Sequence, residues 1–499
     1  MPRLPPRPVI YELNTIAWLS ELSRRAGKPV TLATVPEPVW EAIADLGVNA
    51  VWLMGVWERS PAGLAVALAN DGLRDEFRRA LPDVTLDDIA ASPYCVRQYV
   101  ADPRFGGRAG LARARERLAA RGVSLLLDFV PNHLARDHPW VEQYPERFIH
   151  GTEEDLAADP LGFFRAGGHV IACGRDPYFP PWSDVAQVNA FAPGLRTASI
   201  DTLCDLATQC DGVRCDMAML LMTDVFSATW GDRAGARPDD DFWPAVIGTV
   251  RAYEPDFMFL AEAYWDREWA LQQQGFDYCY DKRLYDRLAA GDATAVREHL
   301  RVDTTYQDGL VRFVENHDER RAAVVFGPER SRAAVALVAA LPGARLVHQG
   351  QLEGRGVRLP VFLTRWPDEP VDRALRSFHG ALLREIAAPL FRDGAWRLLE
   401  CSGWPDNDNY RNLIACSWEG TGERRLVVVN FSATRSQGNV WLASEDIPAH
   451  RWRMTDVLNG DAFERDGDDV AAHGLYIDLG AWQFHWLAVT NDTSPRNNG

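Results

Sequence analysis

The stretch that decides the fold is Gly212-Val213-Arg214-Cys215-Asp216, a short apolar run that ends in an acidic residue. The same design recurs three times elsewhere, in LDFVPNH (127–133), FLAEAYW (259–265) and FVENHDE (313–319). A carboxylate at the end of a buried strand is costly unless it is paired. Any one of these acids could be a helix cap or an ion-pair partner. Four of them at the same end of successive strands predict a single pocket.

Outward from these segments, apolar runs alternate with helix-like stretches. The runs at 50–54, 123–127 and 257–260 have almost no polar alternation, which is typical of parallel strands buried on both faces. Strand-then-helix repetition over roughly 350 residues predicts an α/β fold, the (β/α)8 TIM barrel. A doubly wound sheet is the alternative, but no GxGxxG motif follows the first strand.

Two changes of pattern divide the chain. A stretch rich in Pro, Gly, Asp and aromatic residues interrupts the barrel after its third strand, and short alternating strands with turns follow Gly394. We therefore predict a catalytic barrel in 1–133 and 193–393, with an inserted loop-rich subdomain in 134–192. The rest is predicted to be an all-β sandwich domain in 394–490 and a disordered tail in 491–499.

Composition restricts the partners. A net charge of −17 argues against nucleic acids and anionic membranes as partners, because these require basic surface. The longest apolar run, 333–341, is too short for a membrane span. No basic-then-apolar leader is found, and the eight cysteines form no CxxC pair or evident disulfide framework, so we expect a cytoplasmic protein. Oligomeric state is not predictable from this sequence.

Clustered carboxylates with an Arg and two His suit glycoside chemistry. One carboxylate must be ionised to attack the anomeric carbon, and a second must carry a proton for the leaving oxygen. Arg214 lies two residues before Asp216, so both side chains point to the same face of one strand. A neighbouring guanidinium favours the ionised form of a carboxyl group, which makes Asp216 the candidate nucleophile.

The four segments, taken in order, resemble the signature regions of the α-amylase family: D-x-x-x-N-H, G-x-R-x-D, a strand-borne E, and N-H-D. The resemblance covers the barrel and implies a retaining enzyme that acts on α-glucans or α-glucosides. It implies that Asp216 is the nucleophile, that Glu262 is the general acid/base, and that Asp318 holds sugar hydroxyls. The other implied site residues are Tyr94, His133, Arg214 and His317 around the cleaved bond, with Asp128 as structural support.

Several positions depart from the family pattern. Met217-Ala218 stands where many amylases have a Lys-His pair, and Cys95 stands where exo-glucosidases have Asp after the Tyr. Ala261-Glu262-Ala263-Tyr264 is more similar to maltosyltransferases of the family. Endo or exo action therefore stays open.

Metal binding also stays open. Gln187 replaces an Asp that often binds structural calcium, and the carbonyl of Asn132 is a weak calcium ligand by itself. We expect that no cofactor is required.

Three functional hypotheses follow. The first is a retaining α-glycoside hydrolase working by double displacement, with its two carboxyl groups about 5–5.5 Å apart. The second is a transglycosylase or maltosyltransferase-type enzyme with the same mechanism. The third is a catalytically silent sugar-binding protein on the same fold, against which the intact acids count. Donor, linkage and chain length are not predicted.

Overall fold

The computed structural model describes residues 4–420, 422–442, 447 and 450–492. Two compact units make up this part of the chain. The first unit comprises Ile10–Tyr280 and Val357–Asp368, and the second comprises Pro5–Val9, Asp281–Gly356 and the residues from Glu369 onward.

In the described residues the strands, in chain order, are β1 (Val9–Asn14), β2 (Ala50–Met54), β3 (Trp57–Arg59), β4 (Val96–Ala101), β5 (Ser124–Phe129), β6 (His133–Ala135), β7 (Phe163–Ala166), β8 (His169–Gly174), β9 (Trp182–Gln187), β10 (Gly212–Cys215), β11 (Met258–Ala261), β12 (Tyr278–Tyr280), β13 (Leu310–Arg312), β14 (Ala344–His348), β15 (Ala395–Ser402), β16 (Leu413–Gly420), β17 (Glu423–Asn430), β18 (Ser436–Trp441), β19 (Arg451–Asp456), β20 (Ala462–Asp466), β21 (Leu475–Leu479) and β22 (Phe484–Asp492).

The α-helices of the same residues are α1 (Thr15–Ala26), α2 (Glu37–Ala44), α3 (Pro61–Ala69), α4 (Asp71–Ala80), α5 (Gly107–Ala119), α6 (Pro139–Gln143), α7 (Glu153–Ala158), α8 (Pro193–Ala207), α9 (Thr223–Trp230), α10 (Phe242–Tyr253), α11 (Glu268–Gln273), α12 (Lys282–Ala290), α13 (Ala293–Leu300), α14 (Thr304–Asp308), α15 (Ala322–Val325), α16 (Gly327–Ala339), α17 (Arg373–Ile386), α18 (Pro389–Asp393) and α19 (Gly467–His473).

Eight parallel strands form a closed barrel in the order β1, β14, β13, β12, β11, β10, β5 and β2. Every residue of β2, β10 and β11 is buried, as expected of strands covered by helices on one side and by the barrel interior on the other. The predicted (β/α)8 barrel is therefore confirmed.

A small antiparallel sheet interrupts the barrel after β5. Its strand order is β6, β9, β8 and β7, and apart from His133 it lies within the inserted subdomain predicted for 134–192, which we call the excursion. Buried apolar side chains on this sheet and its flanking turns, among them Leu134, Phe148, Ile171 and Val188, form a separate cluster. The excursion therefore has its own small core, which gives its loops a rigid base.

A second interruption, between β2 and β5, contains α3 and α4. Phe77 and Leu81 pack there against Leu363 and Trp366, which come much later in the sequence but belong to the same unit. An ion pair between Arg365 and Asp88, at 2.6 Å, joins the same two segments. This insert is thus joined to Val357–Asp368, the later segment of the first unit, by both apolar and ionic contacts.

The C-terminal strands form an antiparallel sheet in the order β20, β19, β22, β17, β16, β15, β18 and β21, so the predicted all-β domain is confirmed. Strand β15 belongs to both halves of this sheet, which form its two faces. Its first five residues pair with β16, and its last three residues pair with β18. Residues from both faces, including Val428 and Ile477, share one buried cluster. A strand that switches between faces in this way folds a sheet over its own core.

Of the predicted disordered tail, Asn491 and Asp492 belong to β22, and the remainder lies outside the described residues. Across the described part of the chain, no helix is both long enough and apolar enough to span a membrane.

The first residue of β10 tests how tightly the barrel is packed. A methyl group added at Gly212 would lie 2.7 Å from the Cβ and the backbone oxygen of Met258 on β11. We expect Gly212→Ala to destabilise the protein by about 1–3 kcal/mol through overpacking and to lower the apparent Tm in a thermal melt.

The matched control is Gly248→Ala within α10, where nothing lies within 4 Å of the added methyl group. This substitution is expected to raise the apparent Tm slightly, because alanine is the better helix former by about 1 kcal/mol. An unchanged melt for Gly212→Ala would contradict the close packing of β10 on β11.

Candidate active site

A buried guanidinium is the centre of the acidic cluster in the first unit. Arg214, on β10, is 1% exposed. Its Nη1 donates a hydrogen bond to Oδ1 of Asp216 at 2.7 Å, and its Nη2 lies 2.7 Å from Oε2 of Glu262. Oδ1 of Asp128 lies 3.8 Å from Nη1. Three of the predicted acids therefore meet around one positive charge.

Strand register explains this meeting. On β10, Arg214 is the partner of Asp128 on β5 and of Leu260 on β11. Side chains two residues apart on a strand point the same way, so Asp216 and Glu262 continue the face on which Arg214 and Leu260 lie. The carboxyl ends of three neighbouring strands thus direct their acids to one place.

Three aromatic rings surround the same guanidinium. The Cζ of Arg214 lies 5.3 Å from the ring centre of Trp52, 5.1 Å from that of Tyr94 and 5.9 Å from that of Tyr280. Burial alone would lower the pKa of Arg214, but Glu262, Tyr94, Tyr280 and Asp216 together raise it well above its usual value. The guanidinium is therefore a permanent cation in the cluster.

Sequence reasoning found Tyr94 but missed Trp52 and Tyr280. Both lie on barrel strands, β2 and β12, where packing of the core is a sufficient explanation for a large aromatic residue in a sequence. The sequence held one indication of their role: both lie on barrel strands, and the barrel was already predicted to hold a charged cluster.

Glu262 is held by donors that the sequence did not predict. The backbone N–H of Met217 donates to Oε2 at 2.7 Å, and the hydroxyl of Tyr264 donates to Oε1 at 2.8 Å. Met217 adopts φ 44° and ψ 45°, the left-handed region that residues with a Cβ rarely occupy. This unfavourable conformation directs its N–H towards Glu262, and strain of this kind is concentrated at functional sites.

Asp128 has the contacts of a supporting residue. Its Oδ2 accepts a hydrogen bond from the backbone N–H of Gly55 at 2.8 Å, and its backbone oxygen accepts one from Nε1 of Trp57 at 2.7 Å. Asp128 thus connects the loop after β2 to the cluster around Arg214. Structural support of this cluster stays the prediction for Asp128.

His133 is buried beside Tyr94, to whose backbone it is hydrogen-bonded. Burial is the main cause that lowers the pKa of His133 to about 4, although Asp184 acts in the opposite direction. Nδ2 of Asn132 lies 3.4 Å from Nδ1 of His133, and the ring of Trp182 packs 5.1 Å from the imidazole. At neutral pH the imidazole is therefore neutral and can offer both a donor and an acceptor.

Asn132, the weak calcium candidate, is hydrogen-bonded to the side-chain amide nitrogen of Gln187. Nε2 of Gln187 donates to the backbone oxygen and to Oδ1 of Asn132, each at 3.0 Å, and to the backbone oxygen of Val188 at 3.1 Å. Gln187 is fully buried. Calcium binds six to eight oxygens, usually including carboxylates, whereas here a neutral N–H donor takes up the oxygens. These residues do not fit a calcium ion.

The fourth acidic segment lies in the second unit. The side chain of Asp318 is 44% exposed, and its Oδ2 lies 3.0 Å from Nε2 of the buried His317. Oδ1 of Asn316 accepts the backbone N–H groups of Asp318 and Glu319, both at 2.9 Å, which fixes the turn that presents Asp318. The two predicted residues of this segment therefore contact each other.

Glu315, in the same segment, has a different environment. It is buried and paired with Arg321 at 3.0 Å and with His348 at 3.3 Å. Burial would raise the pKa of Glu315, but Arg321, His348 and the N–H of Ala322 together lower it. Glu315 is thus a buried structural acid.

Comparison with known proteins gives relatives in both sequence and structure. The chain is 28% identical over 282 residues to alpha-amylase MalA of Haloarcula japonica and 20% identical over 300 residues to alpha-amylase 3 of Dictyoglomus thermophilum. Each match covers 55% of this chain, but only 37% and 56% of the two relatives. The chain thus spans about half or less of these relatives' length. No family model matches the chain.

Solved structures match over almost the whole chain. A maltogenic alpha-amylase, AmyB of Thermotoga neapolitana, has a TM-score of 0.70 at 20% identity and covers 97% of this chain and 99% of its own. The resemblance to the α-amylase family is confirmed. An alpha-amylase of Geobacillus thermoleovorans has a TM-score of 0.66 at 16% identity, covering 98% and 99% of the two chains. At these identities the structural likeness shows the α-amylase fold.

The buried imidazole predicts a pH effect on stability. In the unfolded chain His133 takes up a proton near pH 6.5, whereas in the folded protein it does so only near pH 4. The unfolded state therefore binds more protons between these values, and stability is lost as pH falls through this range, by about 3 kcal/mol for this residue. His133→Gln should flatten the fall in apparent Tm between pH 6.5 and pH 4.

The control is His473→Gln, since His473 is an exposed histidine of α19. It should leave the pH profile of the apparent Tm as in the wild type. A His133→Gln profile as steep as that of the wild type would show that the imidazole is not held neutral by burial.

Proposed function

We propose that the protein is a retaining α-glycoside hydrolase that acts on α-glucan or α-glucoside oligosaccharides. The observation that carries this proposal is the pair of carboxylates, Asp216 and Glu262, held by the two terminal nitrogens of one buried guanidinium. Binding the same small planar group favours the short separation of about 5–5.5 Å that retention needs over the longer inverting range. The alpha-amylase names of the relatives support the same class of activity.

In the first step, Asp216 attacks the anomeric carbon and the glycosidic bond breaks. The leaving oxygen takes a proton from Glu262, and a covalent glycosyl ester to Asp216 results. In the second step, an acceptor oxygen bonds to the anomeric carbon, the ester bond breaks, and the acceptor proton returns to Glu262. Two inversions at the anomeric carbon give net retention, and Glu262 ends the cycle protonated, as it began.

The acid role of Glu262 is supported by the contacts of its two oxygens. Oε2 faces Arg214 and the N–H of Met217, which cannot accept a hydrogen bond. Oε1 faces the hydroxyl of Tyr264, which can turn from donor to acceptor. We therefore place the catalytic proton on Oε1. Around Arg214 lie three acidic groups and one basic group, and a proton on one acid reduces the repulsion between them.

The remaining assignments are proposals of the same kind. Tyr94 and the neutral His133 would line the subsite at the cleaved bond, and Asp318 with His317 would hold sugar hydroxyls. The relative from Geobacillus was solved in complex with acarbose, which supports an oligosaccharide as the ligand. All eight cysteines are free, which supports the predicted cytoplasmic location.

Water or a second sugar can be the acceptor in this mechanism, so transglycosylation is the alternative that the same site would support. Hydrolysis alone releases reducing ends, whereas transfer yields longer oligosaccharides. A silent sugar-binding protein would bind such sugars without turnover. Incubation with maltooligosaccharides, followed by chromatography of the products, separates the three hypotheses.

The catalytic roles are tested with two substitutions and two donors. Asp216→Asn should abolish turnover of both maltotriose and α-glucosyl fluoride, because each donor needs the nucleophile. Glu262→Gln should slow maltotriose cleavage by about 10²–10⁴-fold, the usual contribution of general acid catalysis. It should slow the fluoride donor less, because fluoride leaves without a proton. NMR of the first-formed product should give the α-anomer.

The control is Asp256→Asn, an exposed acid just before β11, at the opposite end of the strand that precedes Glu262. It should keep the wild-type rates. Equal slowing of both donors by Glu262→Gln, or a first-formed β-anomer, would contradict the assignment.

We also propose that the junction between β5 and the excursion is held without calcium. The three hydrogen bonds from Nε2 of Gln187 supply the donor that these oxygens need, and the two that end on Asn132 connect β9 to the segment after β5. A cation is not required where an amide already satisfies these acceptors. The proposal concerns stability only, and no catalytic step depends on it.

The test compares thermal melts in EDTA and in excess CaCl2. The wild type should melt at the same temperature in both, whereas Gln187→Glu should be destabilised by about 1–3 kcal/mol in EDTA, because a carboxylate then faces carbonyl oxygens. Calcium should restore part of this loss by binding the folded state.

Gln143→Glu, at an exposed position of α6, is the matched control and should show neither effect. A saturable rise of the wild-type melting temperature with calcium would refute the proposal.

A further inference from the structure

We propose that Trp404, Trp441 and Tyr476, on the C-terminal sheet, form a binding platform for α-glucan chains. The three side chains are 44%, 41% and 47% exposed, although large aromatic rings are mostly buried in folded proteins. They belong to the second unit, whereas the cluster around Arg214 belongs to the first. The choice of α-glucan as the ligand rests on the proposed function, and the platform itself rests on the geometry of the sheet.

Strand register places two of the rings on one face. Strands β15, β18 and β21 are neighbours in the sheet. Asn439 on β18 is the partner of Ser402 on β15 and of Tyr476 on β21. Trp441 lies two residues after Asn439 and therefore on the same face of β18. Val440, between them, belongs to the buried apolar cluster on the opposite face. The rings of Trp441 and Tyr476 thus share the outer face of the sheet.

Hydrogen bonds hold these two rings against the sheet. Nε1 of Trp441 donates to Oγ of Ser402 at 2.8 Å, and the hydroxyl of Tyr476 accepts a hydrogen bond from Nε2 of Gln437 at 2.9 Å. Each bond joins the polar edge of a ring to a neighbouring strand. The rings therefore lie across the sheet and present an apolar face to solvent.

Trp404 is positioned by the turn that follows β15. The backbone N–H of Asn407 donates to the backbone oxygen of Trp404 at 2.9 Å, and Nδ2 of Asn407 donates to the backbone oxygen of Gln437 at 3.0 Å. A methyl group added at Gly403 would lie 2.4 Å from the backbone oxygen of Asn407, so the turn is tightly packed. The ring centre of Trp404 lies 6.4 Å from that of Tyr476. Little conformational entropy is therefore lost when a ligand stacks on these rings.

The tilt between the rings favours an α-glucan. The ring planes of Trp404 and Tyr476 meet at 36°. An α-linked glucan curves, so its successive pyranose rings face in different directions, whereas a β-linked glucan such as cellulose is a flat ribbon. The apolar C–H faces of successive glucose units can therefore stack on two tilted aromatic rings.

A polar group lies between the rings to bind sugar hydroxyls. The amide of Asn439, flanked by Ser402 and Tyr476, has no hydrogen-bond partner in the part of the chain that the structure describes. It offers two donors and one acceptor, which suit the hydroxyl groups of a pyranose. Stacking and hydrogen bonding are thus available on the same face.

The charges on this face favour a neutral ligand over a protein. Glu400 is paired with Arg301 at 3.0 Å, and Oδ1 of Asp478 accepts a hydrogen bond from Nε of Arg435 at 2.7 Å. Each acid therefore has a basic partner. Three exposed rings also offer much less than the roughly 800 Å² that each partner of a stable protein complex buries. An uncharged oligosaccharide fits this small neutral surface.

The platform would act on polymeric substrates. A long glucan bound at Trp404 and Tyr476 keeps its other segments at high effective concentration near the same molecule. A short oligosaccharide gains nothing, because it cannot occupy two sites at once. We therefore expect the platform to lower KM for glycogen and to leave kcat/KM for maltotriose unchanged.

The experiment measures glycogen binding by affinity electrophoresis in native gels, with Asp216→Asn as the parent so that the polymer is not cleaved. We expect Trp404→Ala and Tyr476→Ala each to raise the dissociation constant for glycogen by about three- to ten-fold, the range for loss of one aromatic contact. Trp404→Phe retains a ring and should keep most of the affinity. With Asp216 intact, the Ala variants should show a raised KM for glycogen and the wild-type kcat/KM for maltotriose.

Tyr253→Ala is the matched control, because Tyr253 is 63% exposed but lies at the end of α10 in the first unit. It should bind glycogen as the parent does. Unchanged glycogen affinity in both Trp404→Ala and Tyr476→Ala would overturn the platform, and turnover of maltotriose would then leave the proposed function intact. Weakened glycogen binding in these variants, without maltotriose turnover by the wild type, would support the platform and overturn the proposed function.

Two further measurements test the choice of ligand. Retardation by hydroxyethyl cellulose as strong as that by glycogen would overturn the preference for a curved α-linked chain. Sedimentation of the wild type and of Trp404→Ala tests the other occupant, a second copy of the chain. Dimers that Trp404→Ala abolishes would overturn the glucan platform, whereas the same monomeric state in both proteins would support it.

Discussion

The charged cluster of the first unit depends on the burial of one guanidinium. Arg214 is surrounded by three aromatic rings and contacts Asp216 and Glu262 at 2.7 Å each. A buried carboxylate without a partner would be very unfavourable, and a buried arginine without one equally so. Each group therefore makes the other tolerable, and the pairing orients the two acids that the proposed reaction needs.

Preorganisation around this cluster comes from backbone geometry as much as from side chains. Met217, Trp265 and Asp266 all adopt positive φ angles on the loops that follow β10 and β11. Such conformations persist only where the surrounding structure determines them. The well-packed strands of the barrel supply that rigid base, so the loops above them can hold an N–H or an indole ring in a fixed position.

The excursion after β5 is held by hydrogen bonds of two buried side chains. Gln187 joins β9 to Asn132 through two hydrogen bonds from its Nε2, and Asp176 holds the loop between β8 and β9 through two more. Both residues are buried, so their bonds are protected from competition with water. Rigidity of this segment therefore follows from satisfied polar groups and from its own small apolar core.

Much of this protein could be predicted from the sequence, because the relevant information is local. Apolar strands that end in acids predicted the barrel, and the two-residue spacing of Arg214 and Asp216 predicted their pairing. The partners Trp52, Tyr264, Tyr280 and Gln187 could not be predicted in this way. Their roles depend on strand register and on loop conformations such as that of Met217, which bring together residues far apart in the chain. Only the tertiary structure decides those contacts.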